Sequence, residues 1–193
     1  MKTNRLEAFS DGVLAIIITI MVLEMKIPEG TSFDVLQKIL PVFLSYILSF
    51  IYIGIYWNNH HHLLQVVNNV NGTILWANLN LLFWLSLFPF VTGWMGENHF
   101  VANPTLLYGV VLLMAAIAFK LLVHAVINNE GKDSRLAKIY QHDWKLLTSI
   151  VMYIVGIIAS FFEPYLSIAL YLSVAILWII PDKRIEKNIK TTS

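Results

Sequence analysis

The sequence predicts an all-α polytopic membrane protein with six transmembrane helices, and its composition is the first reason. Of its 193 residues, 58% are apolar and only 13% are charged, and the mean hydropathy is +0.68. A soluble domain carries about 25% charged residues, so the composition argues against a cytosolic enzyme. Because one spanning helix takes about 20 residues, the chain has room for about six spans in a single domain, residues 1–193, with no appended soluble domain.

Six apolar runs, delimited by polar residues, are the predicted spans. Their approximate bounds are 5–26, 39–60, 74–95, 104–127, 145–163 and 165–181. The last two come from one apolar block of 35 residues, which as a single helix would be about 52 Å long, too long for a hydrocarbon core of about 30 Å. Glu163-Pro164 near its middle predicts a break, because proline interrupts the helical hydrogen bonds. The first run is interpreted as a retained helix, since no small-residue cleavage site follows it.

The basic residues predict how the helices are oriented. With six spans both termini lie on one side, and that side collects ten lysines and arginines, whereas the opposite side has only Lys26 and Lys38. Since cytoplasmic loops carry the excess of basic residues, both termini are predicted to be cytoplasmic. The formal net charge of +1 gives no basis for binding nucleic acid, which needs a basic stripe.

The first span has unusual chemistry, because its residues sort onto two faces. Ser10 and Asp11 put polar groups at its cytoplasmic end and point away from an apolar stripe. An isolated stripe of this kind is explained by ordinary packing between helices. For Asp11 considered alone, a structural role in capping or packing is as good an explanation as a functional role. The stripe recurs at intervals of three and four residues and consists of Phe9, Gly12, Ile16, Thr19, Ile20 and Leu23.

Catalytic and metal-binding sites are not indicated by the sequence. The chain has no cysteine, no intramembrane pair of aspartates, and neither a G-x-S-x-G nor an H-E-x-x-H motif. His60, His61 and His62 are consecutive, so on a helix their side chains point about 100° apart and do not converge on one metal ion. We therefore expect no enzymatic activity, no bound metal and no cofactor.

Three segments occur together in a recognisable order. The first helix carries Arg5-x-x-x-Phe9-Ser10-Asp11, the second ends in Trp57-Asn58-Asn59-His60-His61-His62, and the third runs from Asn78 to Pro89-Phe90. In this order and at these depths they resemble the transmembrane protein 175 family, whose members are potassium-selective channels of endolysosomes and bacteria. Six spans without further domains resemble the bacterial members, which have one repeat, whereas the animal members have two.

The resemblance implies a function and a set of pore residues. It implies passive conduction of K⁺ through a central pore lined by the first helix, in a homotetramer of the bacterial inner (plasma) membrane. The implied constrictions are Ile16, Ile20 and Leu23, and Thr19 is the hydroxyl associated with potassium preference. The implied partners are further copies of the chain, monovalent cations and the lipid bilayer, with K⁺ as permeant and no other metal. Because the chain has no TVGYG-like filter, apolar rings and hydroxyls would have to select the ion in place of backbone carbonyls.

A depth argument adds a structural role for polar residues at the cytoplasmic boundary. The first helix enters there, the second returns there and the third leaves again, so their polar ends meet. We hypothesise a network that fixes the first helix against its neighbours, since such networks are strong at low dielectric when complete and costly when broken. Its predicted members are Arg5, Phe9, Ser10, Asp11, Trp57, His61 and Asn78.

Two other functions stay open on the sequence alone. A secondary transporter commonly has inverted repeats or broken helices around a midplane site, and neither is clear in this sequence. A non-conducting membrane scaffold would use the stripe of the first helix only as an interface between subunits.

Overall fold

The fold is helical throughout the part of the chain that the computed structural model describes, which is residues 3–67, 69–131, 134, 137 and 144–179. The predicted all-α class is therefore confirmed. The helices in these residues are α1 (Thr3–Leu23), α2 (Asp34–Gln65), α3 (Gly72–Ser86), α4 (Phe88–Glu97), α5 (Ala102–Glu130), α6 (Trp144–Ala159) and α7 (Pro164–Ile179).

Four stretches are long and apolar enough to cross a membrane: α1, α2, the α3–α4 pair and α5. The apolar helices α6 and α7 have 16 residues each, which makes them about 24 Å long. Helices are thus present in all six predicted regions, and the chain is a multi-pass membrane protein. The predicted end of the last span at 180–181 lies outside the described residues, as do eight of the ten basic residues that predict the orientation.

The third span is interrupted near its middle, which the sequence analysis did not predict. Leu87 separates α3 from α4, and Pro89 lies in the first turn of α4. Proline has no N–H, so the carbonyl one turn earlier loses its helical donor. The N–H of Leu87 meanwhile donates to the Trp84 carbonyl, three residues back, at 3.3 Å. The chain tightens there before it continues as a helix to Glu97.

The break predicted at Glu163-Pro164 is present between α6 and α7. The two helices pack closely, and the Ser167 hydroxyl donates to the Gly156 carbonyl at 2.7 Å. A Cβ atom at Gly156 would lie 2.5 Å from Cε1 of Tyr171. Only glycine therefore allows this approach without displacing the tyrosine ring.

The core of the bundle is built around α5, which packs against α3, α4, α6 and α7. Tyr52 of α2 joins Tyr108, Tyr153 and Tyr171 in an aromatic cluster with ring centroids 6.0–6.4 Å apart, within the favourable range for aromatic pairs. Helix α1 instead packs mainly against α2, α3 and α4. It therefore lies to one side of the core and has one face that the rest of the chain does not cover.

Candidate functional site on helix α1

Helix α1 has two faces, and the rest of the chain covers one of them but not the other. One face is buried against the bundle and consists of Leu6, Ser10, Leu14, Ile17 and Met21, spaced three and four residues apart. The opposite face carries large apolar side chains that stay exposed: Phe9 is 53% exposed, Ile16 59%, Ile20 40% and Leu23 75%. The stripe inferred from the spacing is thus the uncovered face of the helix.

Thr19 is the hydroxyl-bearing side chain on the exposed face, and its hydrogen bond determines whether its oxygen is available as a donor or as an acceptor. Its Oγ1 donates to the Ala15 carbonyl of the preceding turn at 2.8 Å. Because the only proton of the hydroxyl is used in this bond, the lone pairs of the oxygen remain available as acceptors. The exposed face therefore presents one oxygen that can coordinate a cation among apolar groups.

The buried face of α1 is held by a chain of polar contacts to α3 and α2. Nδ2 of Asn78 donates to the Ser10 hydroxyl at 3.0 Å, and that hydroxyl donates to the Leu6 carbonyl at 2.9 Å. The other amide atom of Asn78, Oδ1, lies 2.7 Å from Nε2 of His60. Since a carbonyl oxygen only accepts, Nε2 of His60 is the donor in this pair. Ser10 and Asn78 are fully buried and His60 is nearly so, so this chain of bonds lies at low dielectric.

A second group of contacts joins the partly exposed flank of α1 to α2. Nε1 of Trp57 donates to Oδ1 of Asp11 at 3.1 Å, and the Trp57 ring stacks on His61 at 6.3 Å between centroids. Nδ1 of His61 lies 2.7 Å from Oε1 of Glu7. Gln65 binds the other nitrogen of His61 at 2.8 Å, which fixes the direction of the ring.

These contacts agree with part of the hypothesised pairing and change the rest. The structure brings together Asp11 with Trp57 and Ser10 with Asn78. His61 meets Glu7, which the sequence analysis did not select, and His60 rather than His61 meets Asn78. The spacing of apolar residues along α2 could have predicted that His60 is the buried histidine. His60 lies on the same face of the helix as the buried residues Tyr52, Tyr56, Leu63 and Leu64.

Two predicted members of the network make no such contact. Arg5 is exposed, and within the described residues it has no hydrogen bond or ion pair to another side chain. Phe9 lies on the exposed face with Ile16, so it belongs with the stripe rather than with the buried contacts. In the part of the chain that the structure describes, no three His, Asp or Glu side chains lie close enough to hold one metal ion.

Comparison with known proteins shows the relatives of this architecture. A model of the family described as "Endosomal/lysosomal potassium channel TMEM175" matches residues 5–89, which include α2, α3 and all of α1 except its first two residues. A potassium channel of Chryseobacterium sp. (strain P1-3) is 60% identical over 98% of this chain and 99% of its own length. The chain belongs to the TMEM175 family. This is a family of ion channels and not of enzymes.

Other TMEM175 proteins match this chain at lower sequence identity. A potassium channel of Chamaesiphon minutus is 30% identical over 91% of this chain and 92% of its own length. The crystal structure of a lysosomal potassium-selective channel TMEM175 homolog from that organism superposes with a TM-score of 0.80 at 28% identity, covering 92% of this chain and 96% of the other. The mouse endosomal/lysosomal proton channel TMEM175 is 30% identical over 49% of this chain and 20% of its own length.

Proposed function

We propose that this protein is a potassium-selective channel in which four copies place the exposed face of α1 around a common axis. K⁺ passes down its electrochemical gradient through this pore, in the inner membrane of a bacterium with both chain termini in the cytoplasm. The observation that carries the proposal is the stripe that the subunit leaves uncovered while it buries the opposite face of the same helix. Relatives named as potassium channels support the choice of ion.

The spacing of the stripe suits a short, narrow constriction. Ile16, Ile20 and Leu23 follow one another at four and three residues, which places their rings about 6 and 4.5 Å apart along the axis. Apolar rings oblige an ion to shed water, and selectivity then depends on pore width and on the oxygens that replace the water. The hydroxyl of Thr19 lies between the first two rings and offers such an oxygen.

The polar contacts of α1 have a supporting role in this proposal. Ser10 and Asp11, bonded to Asn78 and Trp57, orient the helix so that the stripe faces the axis. Arg5 and Phe9 lie at the cytoplasmic entrance and are exposed in the single subunit, where neighbouring copies would meet them. The proposed channel needs no cofactor and no metal other than the permeant ion.

Flux through liposomes tests the proposal directly. Purified protein is reconstituted into K⁺-loaded vesicles, and a protonophore allows compensating proton entry. A channel gives rapid, K⁺-dependent flux that needs no second solute. A requirement for a coupled solute would identify a transporter, and an absence of flux in a correctly assembled oligomer would identify a scaffold.

The interrupted third span is the observation that favours the transporter, because transporters commonly use broken helices at the binding site. Next to the break, Leu85 and Phe88 are apolar and buried, and the hydroxyl of the exposed Ser86 donates to the Phe83 carbonyl of its own helix at 2.7 Å. A substrate or coupling-ion site would need buried polar side chains at that point, and the buried side chains beside the break are apolar. The break therefore favours a packing role, and the channel remains the better proposal.

Substitutions in the stripe sharpen the test. Ile16→Ser and Leu23→Ser wet the constriction and are expected to raise Na⁺ permeability relative to K⁺ by roughly tenfold, which corresponds to about 1.4 kcal/mol of lost discrimination. Reversal potentials under mixed Na⁺ and K⁺ gradients measure the ratio. Val22→Ser is the matched control, since Val22 is an exposed apolar residue of α1 outside the stripe. Unchanged ratios in both stripe variants would remove these residues from the pore.

A further inference from the structure

A ridge of polar side chains runs along the exposed side of α5, in a part of the helix that is otherwise apolar. Lys120, His124 and Asn128 form this polar ridge; they follow one another at intervals of four residues, and all three are exposed. Four residues are slightly more than one turn, so the side chains lie one after the other on the same face. The opposite face of this half of α5 is buried in the core through Leu122 and Val126, both 0% exposed.

The polar ridge has no partner within the described residues. None of its three side chains makes a hydrogen bond or an ion pair there. The acidic residue on the same helix, Glu130, comes ten residues after Lys120, about 15 Å along the helix axis. The charge of Lys120 is therefore not neutralised by the part of the chain that the structure describes.

The depth of the polar ridge follows from the neighbouring helix α3. Nδ2 of Asn71 donates to Oδ1 of Asn129 at 2.8 Å, so the start of α3 lies beside the end of α5. Trp76 and His124 are each five residues from this bond, about 7.5 Å towards the centre of the membrane. Trp76 is 75% exposed, and tryptophans of spanning helices are enriched at the level of the lipid headgroups. His124 is then at headgroup level, and Lys120 lies about 6 Å deeper.

At this depth the charge of Lys120 is costly unless an anion meets it. A lysine within the apolar region normally extends its ammonium group to the interface. Side chains on a helix tilt towards its N terminus, and the N terminus of α5 is at the other end of this span, so Lys120 starts out in the unfavourable direction. A phosphate that approaches the ridge shortens this path, and His124 and Asn128 lie between Lys120 and the water.

We propose that the polar ridge binds the headgroup of one anionic phospholipid, in the leaflet on the side where α1 begins. The ammonium group of Lys120 meets the phosphate as a point charge, and His124 and Asn128 donate hydrogen bonds to the headgroup. An acyl chain continues along Leu113 and Ile117, which lie deeper on the same face and are partly buried. Phosphatidylglycerol has the net negative charge that Lys120 favours, whereas phosphatidylcholine brings its own cation.

The occupant is a lipid rather than a second copy of the chain because of where α5 lies. In the proposed channel the copies meet along α1, and α1 packs mainly against α2, α3 and α4. The polar ridge is on a different helix, so it faces the bilayer. The proposed lipid site does not depend on conduction through the pore.

Lipid binding to the intact oligomer tests the role of the charge. Native mass spectrometry during titration with phosphatidylglycerol or phosphatidylcholine measures how tightly each lipid is retained. Phosphatidylglycerol is expected to bind at least about fivefold more tightly, since one interfacial lysine favours an anionic lipid by about this factor. Lys120→Met should remove most of that preference, and Lys120→Arg should keep it because the charge is kept.

Lys38→Met is the matched control for the charge, since Lys38 is an exposed lysine near the start of α2, at the other end of the bundle, and its removal changes the net charge equally. It should leave the preference unchanged. Equal losses in the Lys120→Met and Lys38→Met variants, or equal binding of the two lipids to the parent protein, would overturn the proposal.

The other two residues test whether the site is a ridge or a single charge. His124→Leu and Asn128→Leu are each expected to weaken phosphatidylglycerol binding about threefold, through the loss of one hydrogen bond to the headgroup. Ser173→Leu is the control, because Ser173 is exposed on α7 and its hydroxyl already donates to the Ala169 carbonyl at 2.7 Å. Unchanged binding in both ridge variants would contradict the proposal.

Size-exclusion chromatography of the same variants distinguishes a lipid from a neighbouring subunit as the occupant. The proposal expects Lys120→Met to assemble like the parent protein and to differ only in its lipid preference. A lower fraction of assembled oligomer, with the preference for phosphatidylglycerol unchanged, would place the polar ridge between subunits and overturn the proposal.

Discussion

The two halves of α1 are attached to the bundle by different means. At its first turns, Ser10 and Asp11 are bonded to side chains of α3 and α2. Further along, attachment depends on the apolar side chains Leu14, Ile17 and Met21, each 2–3% exposed. The first half is held by directional bonds and the second half by shape.

This difference shows what determines the rotation of the helix. In a membrane, lipid tails are as apolar as leucine, so apolar contacts alone distinguish poorly between one face of a helix and another. A hydrogen bond has a required direction, and a buried amide left without a partner is costly. The polar half therefore selects which face of α1 is buried, and the apolar half follows from that choice.

Removing Asn78 is expected to have the largest effect on this arrangement. Asn78→Leu deprives both Ser10 and His60 of a buried partner and should lower the free energy of unfolding by about 2–3 kcal/mol. Titration with SDS in mixed micelles measures the loss. Asn80→Leu, two residues along the same helix and only partly buried, is the control. Equal losses would mean that the polar chain has no special role.

Truncating the apolar half should have a smaller effect. Ile17→Ala leaves a cavity against the bundle and is expected to cost about 1–2 kcal/mol, less than in a soluble core because lipid replaces water as the alternative surroundings. Ile16→Ala is the matched substitution on the adjacent, exposed residue, and it should leave the stability of the single subunit nearly unchanged. The same titration compares the two; a loss for Ile17→Ala that exceeds that for Asn78→Leu would reverse the order proposed here.

Asp11 tests the exposed flank of the polar half. Asp11→Ala removes the acceptor for Trp57 and is expected to cost about 1 kcal/mol, visible as a lower fraction of assembled oligomer by size-exclusion chromatography. The ratio of K⁺ to Na⁺ permeability should change less, because Asp11 lies away from the stripe. Asp11→Asn keeps an acceptor oxygen and should restore most of the assembly. A variant Asp11→Ala that assembles and conducts like the parent would contradict the supporting role.

The ion pair beyond the end of α1 should have the smallest effect. Nζ of Lys26 lies 2.7 Å from Oε1 of Glu97, and this hydrogen bond and charge raise the pKa of Lys26 above its usual 10.5. Because folding raises the pKa of Lys26, the charged pair still contributes to stability at neutral pH. That contribution is lost only as the pH rises through the raised pKa of the lysine. We expect Lys26→Gln to lower the thermal midpoint only slightly, and this small change should not depend on pH near neutrality. At high salt the change should disappear, because salt screens an exposed ion pair. A large shift would show that the apolar half needs this ion pair as well.

Much of this arrangement follows from local properties of the sequence. Hydropathy and the Glu163-Pro164 pair predict helices in all six regions, and the spacing of Ile16, Ile20 and Leu23 predicts a single face, because each depends only on residues a few positions apart. The interruption at Leu87 was missed, although Pro89 is a visible signal. Pro89 is the second residue of the new helix α4. The sequence does not reveal this, because it depends on how the turn before Leu87 tightens in the folded chain.

What the sequence determines by itself is the class of protein, the helices and the division of α1 into two faces. The tertiary structure decided which neighbours those faces meet. Consecutive side chains on a helix point about 100° apart, so the rotation of α2 determined that His60 reaches Asn78 while His61 reaches Glu7. That rotation results from packing between helices distant in sequence, a property that no short segment contains.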